Sequence, residues 1–393
     1  MTTKELMALD EQYIIGTYGR NPIAITHGKG ATVYDEEGNE YIDFTSGIGV
    51  NSIGYGNENW AKAIYEQAQK LGHISNLYYT EPCALLAEQL CTRTGMSGVF
   101  FGNSGAEANE GIIKVARKYS YDKYGEGRST ILTLKDSFHG RTITTLDATG
   151  QDMFHQYFFP FTDGFRYVKA NDFSELAMTA DDTVCAVMME LVQGEGGVNV
   201  LDKEYVKTVA EYCQKNDWLL LIDEVQTGVG RTGTLFAFQD YDIEPDAVSF
   251  AKGIAGGLPM GGFLVSEKAR GTLGKGDHGS TFGGNPVAAA AALEVLKTLD
   301  DQLLLEVREK GNYIAAAVMN MRSGNIKSIK GKGLMIGLEM IGADAAQTSQ
   351  ALAARGLLTL TAHGNVLRFL PPLTITIEEI DKGLEILQSL LGD

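Results

Sequence analysis

From about residue 55 to residue 285 the chain alternates short apolar runs with longer amphipathic stretches, and no other feature restricts its fold as much. The runs Gly98–Phe101, Thr130–Leu134, Cys185–Glu190, Trp218–Asp223 and Ala247–Ala251 have the length and the Val, Ile and Leu content of strands. Between them, Asn59–Lys70, Glu81–Thr94, Ala106–Tyr121 and Lys203–Lys215 carry helical periodicity; the last places Tyr205, Val209 and Tyr212 on one face. Strands that are apolar throughout, rather than on alternate residues, are buried on both faces. With helices between them, they predict an α/β protein with a mainly parallel sheet. Ligands of such sheets gather at the carboxyl ends of the strands.

A chain of 393 residues exceeds one ordinary core. Residues 1–50 alternate polar and apolar side chains, with turn signals at Gly28–Gly30 and Glu36–Asn39, and read as an N-terminal segment with a small antiparallel hairpin that joins a smaller domain. Residues 51–285 form the expected large domain. Asn285-Pro286, a natural cap followed by a residue preset for the first helical turn, opens a small α+β domain over 286–393 that ends in the helix Ile377–Leu391.

Charge excludes some partners. With 33 basic and 50 acidic side chains the formal charge is −17, which argues against binding nucleic acid or an anionic membrane surface. No apolar run approaches the ~20 residues of a membrane span. The stretch Met1–Glu11 lacks the apolar core and cleavage site of a signal peptide, which points to a cytoplasmic protein. Cys83, Cys91, Cys185 and Cys213 form no C-x-x-C pair and have no histidine at metal spacing, so free thiols and no metal centre are expected.

The chemistry starts at two strand ends. Asp223 closes one apolar run, and Lys252 follows another and opens onto the glycine-rich Gly253–Gly257. A lone lysine reads most simply as a surface side chain. A buried amine beside a buried carboxylate is what a pyridoxal phosphate enzyme needs. The amine holds the cofactor aldehyde as a Schiff base, and the acid keeps the pyridine nitrogen protonated.

Asn103–Glu110 opens a helix directly after a strand, so the amides of Gly105 and Ala106, with Ser104 adjacent, suit a phosphate; a serine-capped helix is the ordinary alternative. Gly228–Gly233 fits G-x-G-x-x-G, yet Asp223–Thr227 separates it from the strand and no clear helix follows, so a nicotinamide dehydrogenase is the weaker reading. Phe138 could stack on a planar ring and Arg141 could grip a carboxylate, or they could be a packing and a solvated loop residue. His139 has no partner acid nearby in sequence, which makes it a poor candidate base. Glu190 to Gly197 reads as a turn with solvated acids, and His278 to Pro286 as either a second phosphate contact or the start of a helix.

These segments, in this order, resemble the class III (subgroup II) pyridoxal phosphate-dependent aminotransferases from about residue 18 to the C-terminus. The resemblance implies a type I, aspartate aminotransferase-like fold and a homodimer with its active sites at the subunit interface. It implies pyridoxal 5'-phosphate as an internal aldimine on Lys252, with Asp223 at the pyridine nitrogen, Phe138 and Val225 on the two ring faces, and Gln226 at the phenolic oxygen. Ser104, Gly105 and Ala106, with Thr281 from the other subunit, would hold the phosphate. For the substrates it implies Arg141 and Arg368 as carboxylate ligands, Glu195 as the partner that neutralises Arg368, and Ser280 and Tyr18 near the donor.

The amino acceptor is then 2-oxoglutarate. Gly72–Pro82 and Asn365–Pro372 resemble members acting on an acylated ornithine, and Ile48 stands where members taking free ornithine tend to carry tyrosine. Leu191, where proline is common, and Ala106, where threonine is common, depart from the family pattern. Other ω-amino donors (succinylornithine, ornithine, 4-aminobutyrate, N-succinyl-diaminopimelate) remain alternatives. So, more remotely, does a non-catalytic cofactor-binding protein.

Overall fold

The computed structural model describes residues 1–392. Its centre is a seven-stranded sheet in the order Gly98–Gly102, Gly261–Val265, Ala247–Phe250, Leu219–Asp223, Val184–Met189, Thr130–Leu134, Phe165–Val168. Neighbours are parallel except at Gly261–Val265, which runs antiparallel to both of its partners. The runs read as strands from the sequence all lie in this sheet. The two strands not foreseen have weaker signals: Phe165–Val168 is a short edge strand interrupted by arginine, and Gly261–Val265 begins with two glycines that read as turn.

Helices cover the sheet. The helix Gly105–Tyr124 lies very close to Gly261–Val265, because Gly111 has no side chain there: a Cβ on it would sit 2.2 Å from a ring carbon of Phe263. The helix Pro286–Thr298, capped by the Asn285 side chain, packs on Glu58–Lys70 and Glu81–Thr94.

The expected hairpin is present as Ile25–Lys29, Thr32–Asp35 and Glu40–Asp43. The last of these pairs in parallel with Leu357–Leu358, which ties the N-terminal segment to the C-terminal region. A four-stranded antiparallel sheet (Ile326–Lys332, Met335–Met340, Val366–Phe369, Leu360–Ala362) completes that region, with Asp301–Asn320, Ala345–Ala353 and Ile377–Leu391 packed around it. No helix among the described residues is long and apolar enough to cross a membrane.

Register decides the site. Asp223, the last residue of its strand, pairs with Ser249, three residues before Lys252. Acid and amine thus emerge from adjacent parallel strands at the carboxyl edge of the sheet.

Candidate active site

A cavity of about 340 Å³ opens at this edge. Asp223 and Lys252 line it together with Phe138, Val225 and Gln226. Its rim includes Ser104, Gly105 and Ala106 at the start of the helix Gly105–Tyr124. Ser104 Oγ accepts from the Glu107 amide, while the first amides of the helix have no acceptor inside it. Gly105 packs so tightly that a Cβ would lie 2.6 Å from Val225 Cγ1.

Asp223 is 3% exposed and held from several sides. Oδ2 accepts from Asn109 Nδ2 at 2.7 Å and faces His139 Nδ1 at 2.8 Å; Oδ1 accepts from the Val225 amide at 2.9 Å and the Ser249 hydroxyl at 3.4 Å. A carboxylate accepts only, so His139 Nδ1 carries the proton, leaving Nε2 buried without a partner. Asp223 is therefore oriented as a fixed negative end at the cavity floor.

Lys252 is partly buried and has φ +45°, a conformation that side-chain-bearing residues avoid. Burial draws its pKa down; Glu195 pulls the other way, Arg368 adds to the lowering, and Asp223 and Glu190 oppose it.

Glu195 also lines the cavity, and its Oε1 accepts from Arg368 Nη1 at 2.8 Å. Burial opposes its ionisation, but the guanidinium prevails and holds Glu195 below the usual carboxylate range. The same Nη1 donates to Gln226 Oε1 at 3.2 Å, and Arg368 Nε is buried with no partner. Arg368 is 2% exposed, so much of its hydrogen-bonding capacity is unspent.

Arg141 is exposed and lies over the aromatic wall, its guanidinium carbon 4.1 Å from the Phe154 ring centre and 5.5 Å from that of Phe138. Tyr18, Ser280 and Thr281, like Arg141 and Arg368, are not among the residues that line the cavity. Tyr18 is 74% exposed; Thr281 is exposed; Ser280 is fastened to Asn103, whose Nδ2 lies 3.0 Å from its Oγ.

Sequence reasoning missed three residues. His139 and Asn109 orient Asp223 from 84 and 114 positions away, separations that carry no periodic signal. Glu190, read as a solvated turn acid, is 6% exposed and accepts from the Phe138 amide at 2.9 Å. Burial pushes its pKa up to about 7, with His139 opposing and Asp223 adding to the rise.

The family model for class-III aminotransferases matches residues 15–391. The chain belongs to the class-III aminotransferases. It is 52% identical over 395 residues to the acetylornithine aminotransferase of Haemophilus ducreyi, covering 100% of both chains. It is 45% identical to that of Caldanaerobacter subterraneus subsp. tengcongensis, covering 99% of each. Among solved structures it superposes on the ornithine aminotransferase of Toxoplasma gondii ME49 with a TM-score of 0.95 at 32% identity, covering 99% of this chain and 94% of that one. It superposes on N-acetylornithine aminotransferase from Stenotrophomonas maltophilia K279a with a TM-score of 0.84 at 36% identity, covering 98% of each.

Class-III aminotransferases transfer amino groups with pyridoxal phosphate, and the cavity fits that cofactor. It offers a buried carboxylate at the floor, an amine, an aromatic ring and a valine among its walls, and a helix start at its rim.

Proposed function

We propose that the enzyme moves the δ-amino group of N2-acetyl-L-ornithine to 2-oxoglutarate, giving N-acetyl-L-glutamate 5-semialdehyde and L-glutamate, a reaction of arginine biosynthesis. The carrying observation is the Arg368–Glu195 pair on the cavity that holds Lys252. A site that serves two unlike substrates needs a carboxylate-binding arginine that can be silenced. The donor is suggested by the full-length 52% relative and by Ile48, which offers no partner to a free α-ammonium.

When bound, pyridoxal phosphate supplies an electron sink for the carbon that carries the amine. Lys252 Nζ would hold the aldehyde end, and burial favours the uncharged amine, which could take the proton from the donor δ-carbon. Asp223, kept in place by Asn109 and His139, would retain the proton on the pyridine nitrogen. Phe138 and Val225 would confine the ring, Gln226 would donate to the phenolic oxygen, and Ser104, Gly105 and Ala106 would hold the phosphate, with Thr281 from a second copy in a homodimer.

Arg141 binds the α-carboxylate of acetylornithine and then the γ-carboxylate of glutamate, while Ser280 and Tyr18 border the donor. Arg368 binds the α-carboxylate of glutamate after Glu195 turns away. The enzyme works in the cytoplasm, where Cys83, Cys91, Cys185 and Cys213 remain thiols.

A second reading, free ornithine as donor, draws on the 0.95 TM-score to an ornithine aminotransferase. One panel separates the two: purified holoenzyme, 2-oxoglutarate, and acetylornithine, succinylornithine, ornithine or 4-aminobutyrate. Acetylornithine should lead ornithine by at least about tenfold in kcat/KM, which is ~1.4 kcal/mol of transition-state discrimination. Ornithine at or above acetylornithine would overturn the donor assignment.

A further inference from the structure

Arg231 is a buried charge that the reaction scheme leaves unused. It belongs to Gly228–Gly233, the glycine motif that looked like a dinucleotide loop, and it is 2% exposed. Val229, Gly230 and Gly233 all have positive φ, so the turn doubles back and carries the arginine inward. No acidic group pairs with the guanidinium within 4.0 Å among the described residues. Nη1 donates to the carbonyls of Leu334 at 3.1 Å and Pro371 at 2.5 Å, and Nη2 reaches Ser46 Oγ at 3.4 Å. Burial lowers its pKa to about 9, with Asp43 resisting. An unpaired buried guanidinium is costly, and an apolar side chain would have filled the same space more cheaply.

The elements it joins are the informative part. Ser46, Gly47, Ile48 and Gly49 form four consecutive residues at φ 41°, 62°, 66° and 78°. Left-handed backbone is unfavourable for Ser46 and Ile48, and the turn persists only if its surroundings hold it. Ser46 Oγ donates to the Leu370 carbonyl at 2.6 Å, Leu370 donates its amide to Phe44 O at 2.7 Å, and a Cβ on Gly49 would stand 3.9 Å from Arg231 Nη2. The turn delivers Ile48 and then Val50, which lines the cavity. Leu370 and Pro371 continue directly from the strand Val366–Phe369, which carries Arg368.

We infer that Arg231 is a positioning residue for substrate choice: one buried guanidinium clamps the left-handed turn that presents Ile48 and the strand exit that aims Arg368. This rests on the two-substrate reading above. The donor-side wall and the acceptor-side arginine are registered to one another through Arg231, and both to the loop that follows Asp223. Lysine in its place keeps the charge but loses the planar fork that reaches three oxygens on three segments, Ser46, Leu334 and Pro371.

The test compares holoenzyme of the wild type, Arg231→Lys and Ser46→Gly. Glycine suits the left-handed backbone and removes only the hydroxyl that bridges Arg231 and Leu370. The wild type is first run on the donor panel, so failure to take acetylornithine sinks the donor assignment by itself. The Arg231 measurement is then made on the best donor and its nearest competitor. For Arg231→Lys, discrimination between the two donors should shrink and KM for 2-oxoglutarate should rise, each by roughly tenfold, with kcat at saturation changed less than about threefold. Ser46→Gly should move both in the same direction by a smaller factor. A lower melting temperature with unchanged discrimination and unchanged KM would reduce Arg231 to a structural brace and overturn the inference. If Arg231→Lys does not fold, wild-type values in Ser46→Gly overturn it equally.

Discussion

The pairing of Glu195 with Arg368 gives the sharpest prediction, because its effect should differ between the two half-reactions. In Glu195→Gln the shape is retained and the charge is lost. Arg368 Nη1 keeps the Gln226 carbonyl at 3.2 Å but loses the carboxylate at 2.8 Å. The magnitude follows from burial. The Arg368 side chain is 3% exposed, so its charge is poorly solvated; that of Glu195 is 31% exposed, so water screens part of the attraction. Fully buried pairs lose about 3–5 kcal/mol when one partner is removed, and exposed pairs lose about 0–1 kcal/mol. A half-screened pair lies between, at about 2 kcal/mol, or roughly 30-fold.

That penalty is present in the free enzyme and persists in the donor half-reaction, in which the acyl end brings no charge to Arg368. In the glutamate half-reaction the substrate carboxylate replaces Glu195, and a neutral glutamine is easier to displace. Single-turnover spectrophotometry of each half-reaction should therefore show the ratio of kcat/KM for glutamate to kcat/KM for acetylornithine raised by roughly 30-fold. Equal losses in the two halves would refute the switch.

Lys252→Ala should abolish turnover while circular dichroism and oligomeric size stay as in the wild type, since it removes an amine whose charge the site disfavours. Gly105→Ala should weaken cofactor binding, measured by titration of apoenzyme, because its Cβ would press to 2.6 Å from Val225 Cγ1; relief costs about 1–3 kcal/mol. Glu190→Gln tests the raised acid. Its folded pKa, about 7, lies above the ordinary 4.5, so the folded state holds the proton more tightly. The stabilisation is complete below pH ~4.5 and is lost as pH rises through ~7, by up to about 3 kcal/mol. The melting temperature of the wild type relative to Glu190→Gln should accordingly fall between pH 5 and pH 8, and a constant difference would exclude a titrating Glu190.

What the sequence made legible was the part built from local pattern. Lys252 and Asp223 close apolar runs, and in a parallel sheet strand ends converge on one edge, so their meeting could be foreseen. The helix start at Ser104 was readable for the same reason. The supports of Asp223 were not, because His139 and Asn109 reach it through the tertiary fold. Glu190 misled because a glutamate before glycines is normally a solvated turn. Here the turn folds back so closely that a Cβ on Gly194 would lie 2.0 Å from Gln226 Oε1, and the acid is enclosed. The antiparallel strand Gly261–Val265 hid behind its own glycines, which it needs because a Cβ on Gly262 would meet Phe100 O at 2.2 Å.

The charges in the cavity cannot be assigned one at a time. Burial alone favours the neutral form of Lys252, Glu190 and Glu195. Glu195 stays ionised because Arg368 is next to it, and Arg368 and Glu195 then act on Lys252 with opposite signs. Under the proposed switch, a second carboxylate admitted in place of Glu195 would restore the negative charge that Lys252 loses. The amine would then face nearly the same field in both half-reactions, although the substrates differ by a charge. Groups linked in this way titrate as a set, so substitutions at Glu195, Arg368 and Glu190 should be non-additive, unlike changes at distant sites.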